Sequence, residues 1–137
     1  MDMQHFFQRL VDRFIAGDLE TVAKLYVHPL IIYRPTGITI ERTPEDTVLS
    51  LAERLISIQS GGATSVRVTI DEMGTLLDTR QPFDVTWRFL NRDDEQVGIS
   101  QLRYFCRMRD GHPRIELVDI LQSYRQEGVP MATAVNH

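Results

Sequence analysis

The sequence predicts an α+β fold, with three N-terminal helices packed on one face of a curved antiparallel sheet. Up to Ile58, apolar residues recur every three or four positions, interrupted once by a short strand pair. From Thr64 onward they recur at every second position, the period of strands with one buried face. Polar turn segments, "NRDDEQ" and "RDGHPR", divide that second half into a meander. A chain of 137 residues is long enough for one domain with a sizeable core. Residues 1–126 form that domain, and 127–137 read as a loosely ordered tail without periodicity.

Met3, Phe6, Phe7, Leu10, Val11, Phe14 and Ile15 make the stripe of a first helix. Gly17 suits a left-handed cap at its end, and Asp18 can cap the next helix. Leu19, Val22, Ala23 and Tyr26 continue a shorter stripe, expected to stop before Pro29. Leu30 to Tyr33 reads as a strand, Pro35-Thr36-Gly37 as a turn, and Ile38 to Ile40 as the return strand. Thr43, Pro44, Glu45 and Asp46 give the third helix a strong start signal. Val48, Leu51, Ala52, Leu55 and Ile58 or Gln59 form its inner stripe, and Gly61-Gly62 ends it. Four long strands follow. The last carries apolar residues on both faces, so its outer face is expected to be covered, most simply by a second subunit.

The formal net charge of −4 argues against a nucleic-acid binder, which needs a basic face. Of 15 basic residues only Lys24 is lysine, so Schiff-base chemistry would have to use Lys24 or the chain's own amine. Cys106 is the sole cysteine, which excludes an intrachain disulfide and a cysteine metal cluster. Histidines 5, 28, 112 and 137 lack metal-ligand spacing; no metal and no cofactor is expected. Gly61-Gly62 follows a helix instead of opening one, unlike a phosphate loop. No signal peptide or membrane span is visible, and a cytoplasmic protein without membrane partners is the simplest reading.

The segments "AGDLETVAKLY", "RTPEDTVLSLAERL" and "RIELVDILQSY", in this order around the meander, resemble the NTF2-like superfamily, in particular its SnoaL and ketosteroid-isomerase branch. The resemblance implies a cystatin-like cone with a pocket inside it, and commonly a homodimer through the sheet. It implies little about chemistry, because function lives in sites grafted on folds. Anchored on "AGDL", the isomerase branch's oxyanion-hole tyrosine falls at Leu10 and its general base at Arg34. Its second oxyanion donor, a carboxylic acid, falls near Gln101 to Arg103. None of these matches, and a guanidinium cannot act as a base. Steroid isomerisation by that mechanism is not expected.

Arg34 can clamp a carboxylate or phosphate with paired hydrogen bonds, or form a salt bridge to Glu41 or Asp46. His28, at a helix–strand junction, can move protons near neutral pH or simply cap backbone before Pro29. Tyr26 and Tyr33 are expected to line or close the cavity. Arg103 and Tyr104, on the long strands, complete the candidate ligand contacts. Asp119 would be an acid–base carboxylate in an apolar wall if it faced inward with Ile115, Leu117 and Leu121; the competing reading is a buried ion pair with a cross-strand arginine such as Arg103. Two readings follow. One is a SnoaL-like small-molecule protein with a pocket for a mainly apolar ligand bearing an anionic group, catalytic only if His28 or Asp119 does acid–base work. The other is a non-catalytic dimeric accessory module whose cavity is packed shut by Phe7, Leu10, Phe14 and Trp87.

Overall fold

A computed structural model of the chain describes residues 2–127. The tail expected at 127–137 lies, apart from Glu127, outside the described residues. Helix α1 spans Met3–Ile15, α2 Leu19–Ala23 and α3 Pro44–Ser60. The strands are β1 Tyr26–Arg34, β2 Gly37–Glu41, β3 Ser65–Met73, β4 Arg80–Leu90, β5 Gln96–Arg109 and β6 His112–Gln126. They form one unclosed sheet in the order β2-β1-β6-β5-β4-β3.

The sheet is mixed, where the sequence predicts an antiparallel one: β1 runs parallel to β6, and all other neighbours are antiparallel. The helix pair preceding β1 and the hairpin following it let the chain bring β1 alongside the last strand. Tyr26 therefore belongs to β1, opposite Ile115, and not to the second helix as its stripe suggests. A five-residue helix has few internal hydrogen bonds, so sheet pairing and Pro29 outweigh its apolar pattern.

Asp2 caps α1 through the His5 amide, and Gly17, at φ 84°, ends it, with the Asp18 amide bonded back to Arg13. Phe7, Leu10, Val11 and Phe14 are buried at the helical spacing. One edge of the sheet is β3, and α1 completes it with side chains. Gln4 and Gln8 each donate to and accept from β3 backbone, at Val66, Val68 and Ile70, over 2.6–3.3 Å. Edge groups that would otherwise invite another chain are thereby satisfied.

Thr43 and Asp46 close a reciprocal capping box on α3 with Pro44 in its first turn, as the sequence predicts. The buried stripe of α3 is Thr47, Leu51, Leu55 and Ile58. Between α1 and the sheet the interior is aromatic and filled. Phe7 stacks on Tyr104 with ring centroids 5.2 Å apart, meets Phe83 edge-on, and Phe14 tilts against Trp87.

Candidate functional site

The polar residues of the concave face gather where β1, β2 and α3 meet. The two-residue turn Pro35-Thr36 pairs Arg34 with Gly37, and that register places Glu41 opposite Leu30. Glu41 thus shares the inward face with Leu30 and Ile32 and is only 5% exposed. From α3, Thr47, Ser50 and Arg54 enter the same cleft; Tyr26 and Tyr104 enter from β1 and β5. Leu30, Ile32, Leu102, Val118 and Ile120 supply apolar walls. The cleft has a volume of about 20 Å³, room for roughly one water. A wider depression of about 560 Å³, between α2 and α3, is a surface feature lined by Glu20, Lys24, Glu45 and apolar neighbours.

A hydrogen-bonded chain runs from outside the cleft to its wall. The Thr47 hydroxyl donates to Glu41 Oε1 at 2.7 Å, and His28 Nε2 stands 2.7 Å from the same hydroxyl oxygen. A hydroxyl has one proton, and Thr47 gives it to the carboxylate. With the Thr47 proton directed to Glu41, His28 Nε2 is placed to donate an N–H to the Thr47 oxygen.

Tyr26 and Tyr104 both line the cleft, close enough for each phenol to shift the other. Burial pushes the Tyr26 phenol up to about 12, with Arg54 and Tyr104 pulling it back. Tyr104 is raised as well, first by burial and then by Tyr26. Arg34, half-buried at the rim, has its guanidinium lowered by burial and by Arg54, an effect Glu41 partly offsets. Arg54 therefore stands near Arg34 and both tyrosines. Among the described residues neither Arg34 nor Arg54 makes an ion pair within 4.0 Å. Arg34 has only a 3.3 Å hydrogen bond to the Thr39 hydroxyl. Two guanidinium groups thus face one carboxylate, already engaged by Thr47.

Of the sequence candidates the cleft is lined by Tyr26 and Tyr104, together with Glu41, Thr47 and Arg54; His28 adjoins it through Thr47, and Arg34 stands outside its lining, at the rim. The other candidates lie elsewhere. Tyr33 is 40% exposed and turned to the opposite face of the sheet. Arg103 is bonded twice to Asp84, at 2.6 and 3.0 Å, on that outer face. Asp119 sits opposite Arg103 there and does not face inward with Ile115. A register shift between Phe105 and Cys106 is the cause. It reverses the alternation after Ile115, so that Val118 and Ile120 are buried and Leu117, Asp119 and Leu121 point out. His28 and Asp119 are consequently on different faces. Among the described residues no group of three His, Cys, Asp or Glu is arranged to hold a metal ion. No described helix is long and apolar enough to cross a membrane.

A family model described as NTF2-like protein (DUF6841) matches residues 1–123. Solved structures give the same fold at low identity. Aln2 from a Streptomyces species is 16% identical, with a TM-score of 0.67 over 88% of each chain. A cystatin-like domain of unknown function from Nostoc punctiforme is 13% identical, with a TM-score of 0.65 over 98% of this chain and 80% of that one. An NTF-2 like protein of unknown function from Shewanella oneidensis is 12% identical, with a TM-score of 0.62 over 86% and 94%. No curated protein sequence matches the chain.

Proposed function

The chain belongs to this NTF2-like family, and from that premise we propose that it is a non-catalytic binding protein for a small molecule bearing an anionic group. The observation that carries this reading is the charge imbalance at the cleft and its rim: Arg54 in the lining and Arg34 beside it, neither in an ion pair among the described residues, against the single carboxylate of Glu41. A carboxylate head group docking at the mouth of the cleft can meet the guanidinium fork of Arg34 beside Arg54. The filled interior supports binding over turnover. With Phe7, Leu10, Phe14 and Trp87 all 1% exposed or less, the cone has no room for a ring system. The ligand's apolar body rests on the surrounding surface and its head group stays at the mouth, because the cleft itself holds about one water.

A second copy of the chain on the outer sheet face is part of the same proposal. Ile31 faces Ile40 and Tyr33 faces Ile38 across the β1–β2 pair, beside Leu117 on β6. Ile38 and Ile40 are 63% and 51% exposed, unusual for neighbouring β-branched residues on one face.

A thermal-shift comparison tests the ligand reading. Hexanoate and cyclohexanecarboxylate are expected to raise the melting temperature of wild type more than hexanol and cyclohexanol do. Arg34→Ala and Arg54→Gln are expected to abolish that difference. Equal shifts in wild type and both variants contradict it.

A further inference from the structure

A second groove lies between α1, α2 and the β5–β6 turn, and shares no residue with the cleft. Every ionisable side chain that lines it is basic: His5, Arg9, Arg13, His112 and Arg114. The chain as a whole has a net charge of −4, so this concentration runs against its composition. Phe6 and Leu25 give the groove an apolar floor.

The cations are only partly committed. Arg13 reaches Asp18 at 3.4 Å, a long pair between exposed side chains that contributes little. Arg114 spends one N–H on the Pro113 carbonyl at 3.0 Å and keeps the rest of its fork. Arg9 makes no hydrogen bond or ion pair among the described residues. Several guanidinium groups lining one groove with an apolar floor suit an oxyanion with more than one charged oxygen and a short carbon body. The volume, about 180 Å³, falls below the roughly 300 Å³ at which drug-sized sites begin, so the body is small.

We propose that this groove binds a small phosphate monoester, with Arg9 and Arg114 holding the phosphate and Phe6 and Leu25 supporting its carbon portion.

The test is a titration of the full chain with phenyl phosphate, followed through the histidine ring resonances and by calorimetry. The ring signals of His5 and His112 are expected to move, while that of His28, in the other site, stays in place. Arg9→Gln with Arg114→Gln is expected to weaken binding at least about tenfold, the scale of a lost charge-assisted contact. Arg67→Gln with Arg92→Gln removes the same charge from exposed positions elsewhere and is expected to leave binding unchanged. Equal weakening in both double variants would mean general charge attraction and overturn the proposal. So would movement of His28 alone, or inorganic phosphate binding as tightly as phenyl phosphate. Binding to phosphatidate vesicles without binding to phenyl phosphate would assign the groove to a membrane surface and overturn it too. Should the arginine variant fail to fold, the ring shifts of the wild type still decide.

Discussion

The hydroxyl of Thr47 stands 2.7 Å from Glu41 Oε1, and both residues are buried, at 2% and 5% exposure. A carboxylate that deep is tolerable only while it is hydrogen-bonded. Thr47→Val keeps the shape of the side chain and removes the donor, stranding the carboxylate and the His28 N–H together. We expect a loss of about 2–3 kcal/mol in urea unfolding at neutral pH. Thr47→Ser should lose about 1 kcal/mol or less, the scale of one missing methyl group. Equal losses in the two variants would show that the methyl group, not the hydrogen bond, carries the effect.

Gln4 and Gln8 act as a substitute strand along β3. Replacing both with alanine frees four backbone hydrogen-bonding positions on the sheet edge. Water takes them over, so the stability loss is moderate, about 2 kcal/mol. The sharper expected effect is self-association, seen as concentration-dependent light scattering absent from wild type. A double variant that remains as monodisperse as wild type would contradict this role.

Stability should fall on the alkaline side. Burial pushes the Cys106 thiol from 9.0 up to about 12, with Glu116 adding to it, and Tyr26 from 10.0 to about 12. The folded state holds both protons more tightly than the unfolded chain does. Their contribution is therefore fully present below pH 9.0 and is lost as pH rises toward about 12. Urea unfolding across that window should show a declining limb. Cys106→Ala and Tyr26→Phe should each flatten it, and a limb of unchanged slope in both would contradict the assignment.

If two copies meet through the outer sheet face, a charge in its apolar centre separates them. Ile40→Glu leaves the interior untouched, because the side chain is half exposed. Sedimentation should show a dimer for wild type and a monomer for the variant. A monomeric wild type would end this part of the proposal.

Much of the fold is legible in the sequence because its signals are local. The capping box on α3, the α1 stripe and the change of period near Thr64 each depend on a few adjacent residues. The site is legible only in part, because its geometry depends on register. The His-Pro break and the following turn are enough to place Arg34 and His28 at the mouth. Glu41 is within reach too, since a two-residue turn at Pro35-Thr36 dictates that it faces the same way as Leu30. Thr47 is a polar residue on a core stripe, and the apolar Val48 beside it masks that signal. Asp119 is not legible: its direction is set by a bulge between β5 and β6 that no local pattern announces. The parallel pairing of β1 with β6 likewise joins segments far apart in the chain.

Reception of an anionic head group by Arg34 and Arg54 together, at the mouth of the cleft, is the premise of the proposed function. It is tested most directly by the arginine Nε–H resonances during a titration with hexanoate, using hexanol as the neutral control. Saturable shifts are expected at Arg34 and Arg54, accompanied by the His28 ring and absent with hexanol. Saturable shifts confined to other arginines, or none at either residue, would contradict it.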